Sequence, residues 1–422
     1  MPWKETCSVS ERMRFVVRWS EEEGNFSALC REFRVSRKTG YKWLERCERE
    51  GPGGLEDRDP IARKCPHRTA EAVEDELVVA RKAHPFWGPR KVRAWLVGRD
   101  AAADDALPAI STIGEIFKRR GLLRPRKRRL RVPIAPLPRA EAAGPNEIWS
   151  TDFKGHFALG DRSRCHPLTI ADVYSRYSLK CEGFANPREE PVREQFELAF
   201  REFGLPARMR SDNGVPFAST APGGLTRLVV WWVKLGIVPE RIDPGHPEQN
   251  GRHERFHRTL KEEATKPPRA DLASQQRRFD EFRREYNEER PHESLEDRPP
   301  GRIYALSMRP FPATLRGPEY DAETIVRHAD DAGRISWKGT LLRLTRCLEN
   351  EPVGLREIDD GRWEVRYGPV VLGVIDARGP KPVLMCAEAS KAPEPGARAP
   401  VPGDRGAVCV ASEAGSGAEA PG

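Results

Sequence analysis

The stretch PGHPEQNGRHERFHRTLKEE, residues 244–263, contains four glutamates, and the fold predicted for the chain depends on where they lie. Glu248 follows a proline and precedes Gly251, which predicts a loop or the first turn of a helix, where an acid favours the helix dipole. Glu254 lies deeper in the same predicted helix. Three groups able to hold phosphate follow at i+3, i+4 and i+7 on its face: His257, Arg258 and Lys261.

Two further acids occur at informative positions in predicted strands. Asp152 lies within IWSTDFKGHFAL, and Asp212 ends the strand-like segment ARMRSDNG. If these strands are neighbours in one sheet, the carboxylates approach each other, and like charges disfavour ionisation. A divalent cation removes that cost, and oxygen ligands favour Mg²⁺ or Mn²⁺ over zinc. The alternative for Glu254, a surface ion pair with Arg258, is the better interpretation only if the two aspartates are disregarded.

The periodicity around these acids predicts an α/β domain of order βββαβαβ, followed by the Glu254 helix. Its predicted strands lie in 147–158, 165–184, 207–214 and 237–243, and its predicted helices at 191–204, 223–236 and 271–295. The last of these helices should end before Pro291, because proline cannot continue it. Trp231 and Trp232 are predicted core residues.

Residues 147–300, within a predicted catalytic core of 145–305, resemble the catalytic core of DDE transposases and integrases, specifically the bacterial insertion-sequence group related to retroviral integrases. Three motifs carry the resemblance: Trp149-x-x-Asp152-Phe153, Ser211-Asp212-Asn213-Gly214, and the run from His246-Pro247 through Asn250-Gly251 and Glu254 to Lys261. The resemblance implies an RNase H-like fold with Asp152, Asp212 and Glu254 as the acidic triad. These residues would hold two Mg²⁺ or Mn²⁺ ions for DNA 3′-end cleavage and strand transfer. The DNA contacts expected in this core are Asn213, His257, Arg258 and Lys261.

Two features depart from the pattern of that family. Asp212 and Glu254 are separated by 41 residues, a longer spacing than usual, and residues 218–227 are predicted to form the extra loop. The N-terminal region lacks the paired histidines and cysteines of retroviral integrases, since Cys65 and His67 have no matching partners. Helix-turn-helix units are expected in their place.

Residues 1–50 are predicted to form a helix-turn-helix domain. The segment FRVSRKTGYKW offers a turn at Arg34-Val35 and an N-cap at Ser36, so a third helix begins at Arg37. That helix would present its reading side chains to the major groove. The residues expected to contact DNA are Ser36, Arg37, Lys38, Thr39, Tyr41 and Lys42. A plain three-helix bundle with a charged surface is the alternative, and Gly40 within the helix costs roughly 1 kcal/mol relative to alanine.

A second helical DNA-binding region is predicted over residues 61–131, with Ser111 as a helix cap. Its end, KRRGLLRPRKRRLR (118–131), has nine basic residues in fourteen and no acid. Such a tract neutralises phosphates without reading sequence, although a solvated tail is an alternative. The residues of this tract expected to contact DNA are Arg126, Lys127, Arg128 and Arg129. Residues 132–145 are predicted to be an extended, proline-rich spacer.

The C-terminal part of the chain is predicted to contain a small β domain, barrel-like, over residues 330–380. Its clearest turn is Asp359-Asp360-Gly361, a hairpin signal. Residues 387–422 consist mainly of Ala, Gly, Pro, Glu and Ser without aromatics, which predicts a disordered tail.

The composition of the chain favours a multidomain DNA-binding protein. Residues 1–140 contain 31 Lys and Arg and 20 Asp and Glu, so their net charge is +11, whereas the whole chain has a net charge of +8. Nine scattered cysteines without a C-x-x-C pair indicate reduced thiols, and no 18-residue apolar run or apolar signal segment occurs. We therefore expect a cytoplasmic protein, associated with the nucleoid when bound to DNA.

The expected partners are double-stranded DNA, as element ends and as target, and further copies of the chain assembled on that DNA; no membrane partner is expected. Two alternatives to a transposase stay open: a catalytically inactive or domesticated regulator that retains the fold, and an RNase H-like nuclease that does not join ends. The intact triad disfavours the first, and the products distinguish the second.

Overall fold

A computed structural model of the chain describes residues 7–21, 24–57, 68–101, 103–123, 141–243 and 247–386. It divides into two compact units, Met1–Ala70 and Glu71–Gly422. Three sets of predictions lie outside the described residues: the DNA contacts Arg126, Lys127, Arg128 and Arg129, most of the proline-rich spacer, and the tail 387–422.

The first unit contains the three helices predicted for a helix-turn-helix: α1 (Ser8–Glu21), α2 (Phe26–Glu32) and α3 (Arg37–Glu50). The Ser36 side chain caps α3 by accepting a hydrogen bond from the Thr39 backbone N–H at 3.1 Å, as predicted. Packing between the helices explains why residue 40 is a glycine, and the sequence did not reveal this. A Cβ at this position would lie 2.8 Å from the Phe26 ring and 2.9 Å from the Phe15 ring, so a larger residue would separate the helices.

The second unit begins with four helices: α4 (Glu71–Ala83), α5 (Pro89–Arg99), α6 (Ala103–Ala106) and α7 (Ile110–Arg119). They enclose their own hydrophobic core, which includes Trp87, Val92 and Phe117. The prediction that Ser111 caps a helix is wrong. The N-cap of α7 is Ala109, without a side-chain hydrogen bond. Ser111 is already inside the first turn, where its hydroxyl cannot take the cap position.

The central domain follows the predicted element order, with one additional short strand. Its elements are β1 (Ile148–Phe153), β2 (Phe157–Ala158), β3 (Arg164–Asp172), β4 (Ser178–Phe184), α8 (Glu189–Phe203), β5 (Arg208–Ser211), α9 (Arg227–Lys234), β6 (Val238–Arg241), α10 (Gly251–Glu263) and α11 (Leu272–Glu288). The strand order is β2-β3-β1-β5-β6, and β4 also pairs with β3. Strand β3 is antiparallel to β1, whereas β5 and β6 run parallel to it. The predicted neighbourhood of the Asp152 and Asp212 strands is confirmed, since Thr151 pairs with Ser211.

The helices of the central domain cover the two faces of this sheet. Trp149 of β1 packs with α8 and α9, where Trp231 and Trp232 are buried as predicted. Ser150, the next residue along β1, contacts α10 on the opposite face, because successive strand residues alternate between faces. Phe256 of α10 packs with α11 in a separate cluster. Helix α11 ends at Glu288, before Pro291, as predicted.

The C-terminal β domain contains β7 (Ile325–His328), β8 (Arg334–Trp337), β9 (Thr340–Arg343), β10 (Pro352–Asp359), β11 (Arg362–Tyr367), β12 (Val370–Asp376) and β13 (Val383–Cys386). The described strands form an antiparallel sheet of order β13-β12-β11-β10-β7 and a separate β8-β9 hairpin, with no hydrogen bonds closing the two into one barrel wall. The predicted turn connects β10 to β11, with Gly361 at φ 71°. The domain shares its core with α8 and α9, and Lys234 pairs with Glu351 at 2.6 Å.

Six cysteines within the described ranges are free thiols: Cys7, Cys30, Cys47, Cys165, Cys181 and Cys347. No helix in the part of the chain that the structure describes is long and apolar enough to cross a membrane.

Candidate active site

Strand β1 places Asp152 on the face of the sheet that α10 covers. Because strand side chains alternate, Ser150 and Lys154 point to the same face as Asp152, and Thr169 lies directly opposite on β3. The Thr169 hydroxyl lies 3.0 Å from the Asp152 backbone oxygen. Asp152 is therefore held on regular, paired backbone in the middle of the sheet.

Strand β5 brings Asp212 to the neighbouring position. Asp212 follows the last residue of β5, which is paired with β1. The loop after it is fixed by two hydrogen bonds: the Gly214 N–H donates to the Asp212 carboxylate at 3.1 Å, and the Asn213 amide donates to the Ile242 carbonyl at 2.8 Å. Burial raises the pKa of Asp212 above its ordinary value. Asn213, a predicted DNA contact, is exposed, but one of its amide N–H groups is already used in the hydrogen bond to Ile242.

Helix α10 supplies Glu254 from its first turn. Gln249, just before the helix, exchanges hydrogen bonds with Asp243 at 2.8 and 2.6 Å, which ties the start of α10 to the end of β6. Glu254 is exposed. The surface-pair alternative is not observed, because Arg258 bonds Glu262 at 3.4 Å instead. The backbone of Glu248 lies in the preceding 3-10 turn, Pro247–Asn250, which ends one residue before α10.

The charges of Asp212 and Glu254 act on the Asp152 carboxylate. Burial raises the pKa of Asp152 to about 7, and the negative charges of Asp212 and Glu254 add to that rise, whereas the Phe153 N–H and Lys154 oppose it. Strand, strand end and helix therefore converge on one acidic locus. A buried carboxylate with two further acids near it is chemically suited to a hard divalent cation, whose charge would offset the repulsion.

Two lysines accompany this locus. Burial lowers the pKa of Lys154, the charge of Lys261 lowers it further, and Asp152 opposes the shift. Lys261, a predicted DNA contact on α10, is exposed, as is Arg258. Sequence reasoning missed Lys154. The signal was available, because Lys154 is two residues from Asp152 in a strand and so shares its face.

His257 does not lie where it was predicted. It was expected on the exposed face with Glu254, but it is only 7% exposed and bonds the Thr169 hydroxyl through Nε2 at 2.7 Å. The reason is the helix phase: positions 253, 257 and 260 face the sheet, so His257 belongs to the buried side. Its Nδ1 lies 3.6 Å from Asp152 Oδ2. His257 therefore lies below the surface that a DNA backbone could reach.

Asp152, His253 and His257 could together be taken for a metal site, since one ligand atom of each lies within 4.8 Å of the others. The hydrogen bonds of His253 argue against its use as a metal ligand together with the other two residues. The hydroxyl of Ser150 is hydrogen-bonded to His253 Nδ1 at 2.8 Å, and the hydroxyl of Thr169 is hydrogen-bonded to His253 Nε2 at 2.7 Å.

In the first unit, helix α3 presents four of the predicted DNA contacts to solvent: Arg37, Lys38, Tyr41 and Lys42. Tyr41 is 54% exposed and stacks on Phe26 at 4.2 Å between ring centroids. The hydroxyls of Ser36 and Thr39 bond each other at 2.8 Å, so both help to cap the helix. The exposed N-terminal part of α3 therefore presents basic and aromatic side chains, at the end of a recognition helix that contacts base edges.

Known protein families match almost every folded part of this chain. Two integrase core domain families match residues 142–247 and 235–300. A helix-turn-helix domain family matches residues 11–64, and a homeodomain-like domain family matches residues 39–117. The C-terminal domain of the IS481 family of transposases matches residues 324–382.

Two similar proteins come from bacterial insertion elements. The uncharacterized 39.2 kDa protein of insertion element IS476 from Xanthomonas euvesicatoria is 27% identical over 247 residues, which is 57% of this chain and 66%, just under two thirds, of that protein. The uncharacterized 31.7 kDa protein of insertion element IS407 from Burkholderia multivorans is 29% identical over 232 residues, covering 54% of this chain and 79% of that protein.

Similar solved structures are retroviral. The integrase catalytic core domain of HTLV-2, in complex with magnesium, covers 39% of this chain and 99% of its own at 16% identity, with a TM-score of 0.31. A chain of the simian T-cell lymphotropic virus intasome matches at 15% identity, with a TM-score of 0.35. The match covers 68% of this chain and 100% of that chain. Both scores are below 0.5, so the assignment depends on the family matches and the insertion-element relatives. By these matches the chain carries helix-turn-helix domains before an integrase core domain and an IS481-type C-terminal domain after it, and it is similar to proteins of bacterial insertion elements.

Proposed function

We propose that this protein binds the terminal repeats of an insertion element, cleaves the 3′ ends and joins them to target DNA. The observation that carries the proposal is the convergence of Asp152, Asp212 and Glu254 from three different elements. Burial and the two neighbouring acids raise the pKa of Asp152 to about 7. A purely structural acid in a sheet gains nothing from two further carboxylates, whereas a cation-binding site requires them.

The donor set of this site fits Mg²⁺ or Mn²⁺. Asp152, Asp212 and Glu254 offer only carboxylate oxygens, which hard cations prefer and zinc does not require. Together they would hold two ions. When bound, two such ions activate a water for attack on a phosphodiester and stabilise the leaving oxygen.

Other residues of the chain would place the DNA. The ammonium groups of Lys154 and Lys261 and the exposed guanidinium of Arg258 would hold backbone phosphates near the acids. Helix α3 would read the terminal repeats through Arg37, Lys38, Tyr41 and Lys42, and Arg126–Arg129 would add sequence-independent affinity. Copies of the chain would assemble on the paired ends.

The chemistry needs no energy source. Hydrolysis at the element end breaks a phosphodiester P–O bond and leaves a 3′-hydroxyl. That hydroxyl then attacks a phosphodiester of the target, so one P–O bond forms as another breaks, with the target's 3′ oxygen as leaving group. Neither ATP nor a covalent protein intermediate is required.

The proposal is tested with the full-length protein and a labelled duplex that carries the short inverted repeats flanking its gene. With Mg²⁺ the wild type should release the 3′-terminal strand and form joined products with a plasmid. Asp152→Asn and Glu254→Gln should each lower both rates on the order of a thousandfold or more, while binding of the ends persists. Glu262→Gln, on the exposed surface of the same helix, is the matched control and should cleave like the wild type.

Each alternative predicts a different product pattern. Cleavage without joined strands would identify a nuclease and overturn the proposal. Binding of the ends without any metal-dependent cleavage by the wild type would identify a regulator. If Glu254→Gln remained active while Glu248→Gln was inactive, the third acid would come from the turn before α10 and not from its first turn.

A further inference from the structure

A continuous chain of buried polar side chains extends beneath Asp152. Ser150 Oγ lies 2.8 Å from His253 Nδ1, and His253 Nε2 lies 2.7 Å from Thr169 Oγ1. The same Thr169 oxygen lies 2.7 Å from His257 Nε2. Thr169 is fully buried and the other three side chains nearly so. The chain ends at His257 Nδ1, which faces the Asp152 carboxylate at 3.6 Å.

The sequence places these groups together for simple geometric reasons. Ser150 and Asp152 are two residues apart on β1 and point to one face, and Thr169 is the cross-strand partner of Asp152 on β3. His253 and His257 are four residues apart, so both lie on the side of α10 that faces the sheet. The arrangement joins two strands and a helix at one catalytic carboxylate.

Counting protons restricts the direction of these hydrogen bonds. A neutral imidazole carries one N–H, and both rings lie buried among hydroxyl groups. If Ser150 donates to His253 Nδ1, His253 donates through Nε2 to Thr169, and Thr169 donates to His257 Nε2. The remaining N–H of His257 is then on Nδ1, directed at Asp152.

The competing arrangement is electrostatically unfavourable. The Thr169 hydroxyl also lies 3.0 Å from the Asp152 backbone oxygen and could donate there. The Ser150 hydroxyl could likewise donate to the Ala171 carbonyl oxygen at 3.4 Å. In either case His257 would donate Nε2–H to Thr169, and its Nδ1 lone pair would face the carboxylate. An ionised Asp152 is repelled by a lone pair and attracted by an N–H. A metal ligand must be ionised, so the first arrangement suits a catalytic Asp152.

We propose that His257 is a positioning residue whose Nδ1–H, set by Thr169 and His253, orients the Asp152 carboxylate toward the divalent cations. This inference depends on the proposed function, since it assigns a role to Asp152 in metal binding. At 3.6 Å the contact is an electrostatic one, and a small rotation of the carboxylate would make it a hydrogen bond. Partners of this kind commonly determine how a ligand binds its metal.

The first test is the tautomer of His257 in the full-length wild type, read by long-range ¹⁵N–¹H correlation after histidine labelling. His257→Asn identifies the signal by its absence. We expect a proton on Nδ1, without and with Mg²⁺. A proton on Nε2, or an Nδ1 resonance that shifts on Mg²⁺ addition as a directly bound nitrogen does, would show that His257 is a ligand and overturn the inference.

The second test compares two variants that each keep one half of the imidazole. In His257→Asn the amide nitrogen takes the place of Nδ1 and can still donate to Asp152, whereas in His257→Gln it takes the place of Nε2. Mn²⁺ affinity should stay within about threefold of wild type for Asn and fall at least ~10-fold for Gln. The exposed His156→Gln is the control.

The outcomes separate the positioning role from the proposed function. Wild-type Mn²⁺ affinity in His257→Gln would contradict the positioning role alone. A wild type that binds no Mn²⁺ would contradict the proposed function, and the tautomer of His257 would then still show whether its Nδ1–H faces Asp152.

Discussion

Asp152 and Asp172 lie on the paired strands β1 and β3, yet their surroundings differ. Asp172 is 1% exposed and accepts three hydrogen bonds, from the Asn146 N–H at 2.8 Å and from the N–H and hydroxyl of Ser175 at 2.7 and 2.6 Å. Among the described residues, the Asp152 carboxylate receives a hydrogen bond only from the Phe153 N–H, and two other acids adjoin it. The two aspartates therefore differ in role: hydrogen bonds tie Asp172 to a turn, whereas the proposed function assigns Asp152 to a cation.

A third buried acid completes the comparison. Glu263, at the end of α10, forms an ion pair with Arg290, and both side chains are less than 10% exposed. Burial raises the pKa of Glu263, and Arg290 opposes that rise. Hydrogen bonds satisfy Asp172 and a fixed cation satisfies Glu263, whereas neither satisfies Asp152, the acid that the proposed function assigns to a cation.

The largest stability effect should come from breaking the fixed ion pair. Glu263→Gln leaves the Arg290 guanidinium buried without its counter-charge, which we expect to lower the free energy of unfolding by about 3–5 kcal/mol. Chemical denaturation at pH 7 measures it. The adjacent Glu262→Gln, an exposed change, should alter stability by less than ~0.5 kcal/mol. Equal effects of the two would mean that burial of Glu263 does not matter.

Removing the charge of Asp172 should cost somewhat less. In Asp172→Asn an amide N–H faces one of the three donors, so at least one buried hydrogen bond is lost, and we expect a loss of about 2–4 kcal/mol. The same denaturation experiment tests this. A variant as stable as the wild type would show that the hydrogen bonds to Asp172 do not stabilise the turn.

The opposite sign is expected at Asp152. Its pKa is about 7 in the folded protein and 3.8 as an unperturbed group, so the folded state binds more protons in between. Its contribution to stability is therefore complete below pH 3.8 and is lost as pH rises through 7. Without metal, Asp152→Asn should be more stable than the wild type by roughly 2–3 kcal/mol at pH 8, and by less at pH 5. A pH-independent difference, or a destabilised variant, would mean that Asp152 is satisfied in the fold much as Asp172 is.

Much of the fold could be predicted because periodicity and turn residues are local signals. The strand around Asp152, its neighbour ending at Asp212, the end of α11 and the Asp360-Gly361 turn all occur as expected. The Ser111 cap failed, because α7 begins one residue before it. Gly40 looked unfavourable in sequence, and only tertiary packing explains it.

The sequence predicted three acids for the candidate site, but it did not predict which residues contact them. Three acidic positions follow from strand ends and helix phase, whereas the position of His257 depends on which side of α10 faces the sheet. That choice is set by tertiary contacts with Thr169 and Ser150, far away in sequence. Lys154 could have been found by strand alternation. Asp172 and Asp152 look equivalent in sequence, since hydrogen-bond satisfaction is a property of the folded chain.

Asp152, Asp212 and Glu254 should behave as a single metal-binding unit. The most direct measurement is Mn²⁺ titration of the full-length protein, with free ion followed by electron paramagnetic resonance. The wild type and Glu262→Gln should bind alike, and Asp152→Asn, Asp212→Asn and Glu254→Gln should each weaken binding at least ~10-fold, with the Asp152→Asn, Glu254→Gln double variant little weaker than either single one. Wild-type affinity in Glu254→Gln, or independent additive losses, would contradict a single unit.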